Sequence, residues 1–142
     1  MFSHVFLGTE DIERAKVFYD PIMKVLGYSE GSVDPKGRCV YVSQTGVLGL
    51  TKPIDGQPAT HGNGMTVGFL ASSPEAVDEW HRVGVENGGT SIENGPGARG
   101  SDERRLYMAY LRDPDGNKIC ATHFMPQFAL CHRSKYTTVA YN

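Results

Sequence analysis

Apolar residues at Ile12, Ala15, Phe18, Tyr19, Ile22 and Leu26 recur at steps of three and four. That stripe predicts a helix over residues 11–26. Thr9 or Asp11 can cap its start, Glu10 and Glu13 suit its positive end, and Gly27 closes it. Pro21 should kink or split it, because proline lacks the N–H and crowds the preceding turn. A second helix starts at Ser73, with Pro74 in its first turn, and buries Val77, Trp80 and either Val83 or Val85. Gly88-Gly89 ends it.

Between the helices the pattern changes to short strand-like runs. Residues 3–8, 28–33, 38–43 and 47–51 surround the first helix. Residues 64–71, 90–93, 105–112 and 118–123 surround the second. Turns carry Gly or Pro: Asp34-Pro35-Lys36-Gly37, Gln44-Thr45-Gly46 and Asp113-Pro114-Asp115-Gly116. In the last, Pro presets φ and Gly permits a positive one, making it the strongest turn signal in the chain.

Each half therefore reads strand, helix, strand, strand, strand. His4 and Met65, Asp11 and Ser72, and Gly27 and Gly88 all stand 61 apart, so the unit is repeated. The expected fold is α+β, two tandem βαβββ modules forming a curled mixed sheet around a cleft. Residues 1–51 make the first module and 65–124 the second, together one domain over 1–124. The polar, Gly- and Pro-rich stretch 52–64 (KPIDGQPATHGNG) links them, and residues 125–142 form a tail without clear period.

Composition narrows the partners. The chain has 142 residues and a net charge of −2. Lys and Arg are scattered, which argues against nucleic acid or an anionic membrane as partner. No apolar run approaches the roughly 20 residues of a membrane span. Residues 1–8 lack a basic stretch before an apolar core, so no secretory leader is expected. Cys39, Cys120 and Cys131 are an odd count without zinc-site spacing, which points to the cytoplasm.

The segment HVFLGTEDIERAKVFYDPIMKVLGY, with its His, acidic helix start, aromatic pair and Leu-Gly stop, resembles the opening of vicinal oxygen chelate proteins. These are the glyoxalase/bleomycin-resistance/dioxygenase group. DPDGNKI, before the last strand, resembles the group's most recognisable turn, and the likeness spans roughly residues 1–124. It implies a shared cleft, a small-molecule ligand, a homodimer, and a divalent metal that chelates neighbouring substrate oxygens. Such a metal needs three or four His or carboxylate ligands facing inward. Carried over position by position, the four ligand positions fall on His4, Gly49, Met65 and Cys120. Only His4 matches. Gly cannot coordinate, Met is soft, and His4 with Cys120 is two donors. No cofactor is therefore expected.

His4 is the first catalytic candidate, as a general base or a hydrogen-bond donor, against a plainer reading as a bonded core histidine. Cys120 is a nucleophile if His4 lowers its pKa, and otherwise an ordinary strand cysteine. A four-residue loop over 113–116 would pair Ala109 with Cys120 and Tyr107 with Thr122, giving Tyr107 the same face as Cys120. Met65 and Phe69 line either a ligand pocket or the core. In the loop 95–105 (GPGARGSDERR), Arg99, Arg104 and Arg105 suit an anion or a lid, and Asp102 and Glu103 partly neutralise them. His61, His81, His123 and His132 form no ligand set.

Three functions follow. One is a glyoxalase-like protein that binds or transforms a small oxygen-rich or carbonyl-bearing molecule by lyase- or isomerase-type proton transfer. Another is a non-catalytic drug- or metabolite-binding protein. The third is a metal-dependent lyase or dioxygenase with a non-standard ligand set.

Overall fold

The computed structural model describes residues 1–101 and 105–126. The expectations for Asp102, Glu103, Arg104, Cys131, His132 and most of the tail lie outside the described residues. In chain order the elements are β1 (His4–Gly8), α1 (Ile12–Val25), β2 (Ser32–Val33), β3 (Cys39–Val42) and β4 (Val47–Thr51). Then follow β5 (Val67–Leu70), α2 (Pro74–Glu86), β6 (Thr90–Arg99), β7 (Leu106–Arg112) and β8 (Lys118–Phe124). Two βαβββ modules result, each with its own four-stranded mixed sheet, ordered β1-β4-β3-β2 and β5-β8-β7-β6.

Both helices start where their caps predict. The Asp11 carboxylate accepts from the backbone N–H of Arg14, and the Ser73 hydroxyl from that of Ala76. Pro21 neither splits nor ends α1. The N–H it lacks would have met the carbonyl of Val17, and Val17 lies on the solvent side of the helix. Phe18, Tyr19 and Ile22 of α1 join Val77 and Trp80 of α2 in one core with the inner faces of both sheets. Val83, not Val85, completes the apolar face of α2, and Val85 is exposed. Each large side chain buried this way contributes about 1.5–3 kcal/mol.

The sheet faces follow from strand alternation. Val5 and Leu7 of β1, Cys39 and Tyr41 of β3, and Leu48 and Leu50 of β4 pack on the core. His4, Phe6, Val42 and Gly49 take the other, open face, where Val42 is 69% exposed. In the second sheet Val67, Phe69, Ala109, Leu111, Ile119 and Ala121 pack inward, while Gly68, Tyr110 and Cys120 share the open face.

The DPDGN turn joins the modules. Asp113 is buried and accepts from the Tyr19 hydroxyl of α1 at 2.8 Å, from Asn117 Nδ2 at 2.8 Å, and from the N–H groups of Asp115 and Asn117. Asn117 Nδ2 also donates to the carbonyl of Gly8 at the end of β1. Asp115 accepts from the Thr9 hydroxyl, the Glu10 N–H and the Arg14 guanidinium. The family-like turn is thus a clasp between the second module and the start of α1. Burial pushes the Asp113 carboxyl up despite these donors, and pushes the Tyr19 phenol well up.

Two registers differ from expectation. The β7–β8 loop has five residues, because Asp113 N–H donates to the Asn117 carbonyl and the last pair is Arg112 with Lys118. Tyr110 therefore pairs with Cys120, and Tyr107 with His123 on the opposite face. The repeat also shifts. Thr9 N–H bonds the Thr51 carbonyl, and Ala71 N–H bonds the Thr122 carbonyl in the same way. The first strands are therefore 62 apart (71 minus 9), and the counterpart of His4 is Thr66, not Met65. Because α1 has 14 residues and α2 has 13, the glycines after them keep the separation of 61.

His81, on α2, places Nε2 2.8 Å from the Ser91 hydroxyl. Burial pulls its imidazole below the ordinary 6.5, against a smaller upward pull from Asp78. A lowered histidine stabilises the fold above the unfolded value and loses that stability as pH falls through the folded one. Urea midpoints are therefore expected to drop from pH 7.5 to pH 5.5, with a shallower drop in His81→Gln. Equal slopes in the two proteins would remove His81 from the account.

Candidate functional site

One cavity lies at the seam between the modules, with a volume of about 370 Å³. The start of β1 supplies His4 and Val5, and β5 supplies Val67, Gly68, Phe69 and Leu70. Met23 and Tyr28 come from the end of α1 and beyond, and Tyr41 and Leu48 from the first sheet. Its size is that of an ordinary small-molecule site. His4 is exposed, its Nδ1 lies 2.8 Å from the Ser3 hydroxyl, and its ring stands edge-on to Phe6 with centroids 5.8 Å apart. Phe69 packs on Trp80, 6.4 Å between centroids.

The open face of the first sheet shows what became of one expected ligand position. Phe6 pairs with Gly49, and its ring lies over that glycine, so that a Cβ built there would overlap it. The Arg38 guanidinium covers the ring, 5.3 Å from its centroid, and is itself held by Asp34. Where a carboxylate ligand would stand, the chain has an aromatic ring capped by a cation.

On the second sheet Cys120 is 4% exposed. Its Sγ lies 3.7 Å from the Thr122 hydroxyl, and burial pushes the thiol up, away from the thiolate a nucleophile needs. No hydrogen bond or ion pair joins it to His4, and Cys120 is not part of the seam cavity. Tyr110 stands beside it. Lys118 lies over the Tyr110 ring at 4.8 Å and pairs with Glu93.

The remaining expected residues are spread out. Tyr107 faces α2 and donates to Asp78 at 2.9 Å, so the shared face with Cys120 is corrected by the five-residue loop. Arg99 is not in a loop. It ends β6, which continues past the expected boundary through an irregularity between Ile92 and Gly97, and Arg99 donates to the carbonyls of Asn94, Gly95 and Ala98 of its own strand. Arg105 is exposed just before β7, and its carbonyl accepts from Met125 N–H. Met65 lies outside β5, 42% exposed, against Gly62 of the linker. Phe69 alone of this group lines the cavity with His4.

These residues do not fit a divalent metal held as the resemblance implies. The four positions carry His4, Gly49 under the Phe6 ring, Thr66 in place of Met65, and a buried Cys120. Among the described residues no group of three or more His, Cys, Asp or Glu side chains could hold a metal.

The profile of the glyoxalase/bleomycin resistance protein/dioxygenase superfamily matches residues 1–121. The chain belongs to this superfamily. A glyoxalase/bleomycin resistance protein from Albidiferax ferrireducens T118 is 53% identical over 86% of this chain and 98% of its own, with a TM-score of 0.82. A glyoxalase/bleomycin resistance protein/dioxygenase family enzyme from Burkholderia phytofirmans PsJN is 22% identical over 87% of this chain and 98% of its own, TM-score 0.66. A glyoxalase-related enzyme from Fulvimarina pelagi is 19% identical over 87% of each chain, TM-score 0.65. The last two likenesses concern the fold alone. No curated protein sequence matches. For this superfamily member, sequence reasoning missed Phe6, Arg38 and Tyr28. The Gly49 anomaly was the signal that something fills its place, and the partner strand across the ladder was where to look.

Proposed function

We propose that this chain takes up a small carbonyl- or oxygen-bearing organic molecule in the seam cavity, without a metal, and that His4 is the group placed to exchange a proton with it. The carrying observation is the cavity itself, which holds His4 and Phe69 together while the other expected residues lie elsewhere. Lyase- or isomerase-type proton transfer is the chemistry such a histidine supplies. A second reading, a non-catalytic binding protein, is favoured by the Ser3 hydroxyl being the only polar partner of the imidazole among the described residues, a group that is no acid or base at neutral pH.

His4→Ala separates the two. An enzyme loses about 10²–10⁴-fold in rate with its ligand still bound. A binder shows saturable stoichiometric binding, no turnover, and a changed affinity only. Absence of any saturable ligand in the cavity would sink both.

We propose further that the protein is a homodimer. β2 and β6 are the edge strands away from the cavity, each with one side free to pair. Light scattering behind a sizing column should give twice the 15.5 kDa chain mass, and a single-chain mass at micromolar concentration would rule it out. A reducing, cytoplasmic setting accords with the buried free thiols Cys39 and Cys120. No helix among the described residues is long and apolar enough to cross a membrane. Nucleic acid remains outside the proposed partners.

A further inference from the structure

We infer that the cavity selects an uncharged, ring-bearing molecule with one or two oxygen acceptors, and that it rejects anions and cations of the same skeleton. This rests on the proposed reading of the seam cavity as the ligand site. No lining side chain is Lys, Arg, Asp or Glu, and the α-amino group of Met1, the one other charged group among the lining residues besides His4, belongs to a fully exposed residue. Its apolar walls are Val5, Met23, Leu48, Val67 and Phe69, joined by Tyr28 and Tyr41. A carboxylate, phosphate or ammonium moved among these groups would lose its hydration and gain no counter-charge.

The polar atoms left for a ligand are few. The Tyr41 hydroxyl is spent on Asp20 at 2.7 Å, and the Ser43 hydroxyl on the Gly46 carbonyl and the Thr45 and Gly46 N–H groups. The Tyr28 hydroxyl makes no hydrogen bond to a described residue. His4 has Nδ1 on Ser3 and Nε2 without a partner among the described residues. One phenol donor and one imidazole nitrogen, beside the Ser3, Ser43 and Thr45 hydroxyls that bond locally, match a ketone, an aldehyde or an alcohol on a flat hydrocarbon skeleton. A charged peptide conjugate or a polycationic drug does not match.

Three side-chain cations of the two modules are committed elsewhere. Arg38 is committed to Phe6 and Asp34, and Lys16 to Asp20 and the Gly31 carbonyl. Lys118 is committed to Glu93.

The test uses three probes of one skeleton on the full chain: 2-acetylnaphthalene, 2-naphthoate and 2-naphthylmethylamine, titrated at pH 7.5 by calorimetry. The ketone is expected to bind with one site per cavity, and the two charged probes at least ~10-fold more weakly. Tyr28→Phe should weaken the ketone several-fold with an unchanged melting temperature. Leu70 lines the rim and is 63% exposed, so Leu70→Lys should leave the fold intact. That variant should raise naphthoate affinity ~10-fold by supplying the missing charge. Charged probes binding as tightly as the ketone, with Leu70→Lys without effect on naphthoate, would overturn the inference and leave the small-molecule site standing. Failure of all three probes to bind, in the native chain and in Leu70→Lys alike, would overturn the inference and the reading of the cavity beneath it.

Discussion

Asp113→Ala is expected to lower the unfolding free energy by about 3–5 kcal/mol, the largest single loss in the chain outside the apolar core. Its carboxylate receives the Tyr19 hydroxyl, Asn117 Nδ2 and two backbone N–H groups. Alanine strands all of them in a buried place, and each unsatisfied donor costs about 1–3 kcal/mol, less what the site recovers by relaxing or admitting water. The loss also crosses the module boundary, because Tyr19 belongs to α1 and Asp113 to the turn after β7. Tyr19→Phe removes one of these bonds and should cost about 1–2 kcal/mol. A double-mutant cycle should show the two changes coupled rather than additive. Chemical denaturation of the three variants measures this, and a loss below 1 kcal/mol for Asp113→Ala would mean the turn does not hold the modules together.

Gly49→Glu puts a carboxylate back on the position the resemblance assigns to a metal ligand. It is expected to destabilise the protein by about 1–3 kcal/mol and to confer no metal affinity. Any Cβ there meets the Phe6 ring, which is pinned from the other side by Arg38. Phe6→Ala in the same chain should recover most of the lost stability, since it opens the space the side chain needs. Melting curves with and without added zinc and nickel decide the matter. A metal-induced rise in Gly49→Glu alone would show that the ring yields easily and that the position is open.

What the sequence made legible was local. The Asp11 and Ser73 caps, the glycine stops at Gly27 and Gly88, and the tight turn at Gly116 depend on chemistry within a few residues, and each is where that chemistry puts it. What failed was register, which a single residue decides. The β7–β8 loop gained Asn117 because its side chain is needed inside, on Asp113 and Gly8. No pattern of apolar residues records that. The one-residue slip moved Tyr107 off the face of Cys120 and put Tyr110 there. Anchoring the repeat on the glycine stops failed for a similar reason, since α2 is one residue shorter than α1.

At the site, the mismatch at Gly49 was legible, and the consequence was not. That Phe6 and Arg38 occupy the space depends on contacts across the sheet, between residues separated by a whole helix. The seam cavity was hidden more deeply. Its walls come from β1, β3, β4, β5, α1 and the turn before β4, and a linear pattern cannot show which ends of those elements converge.

The measurement closest to the central claim is elemental analysis of tag-free protein dialysed against zinc, nickel, manganese and iron(II), with His4→Ala alongside. A metal content well below one equivalent, the same in both proteins, is the expected result. Near-stoichiometric metal that disappears in His4→Ala would contradict it and return the chain to metal-assisted chemistry.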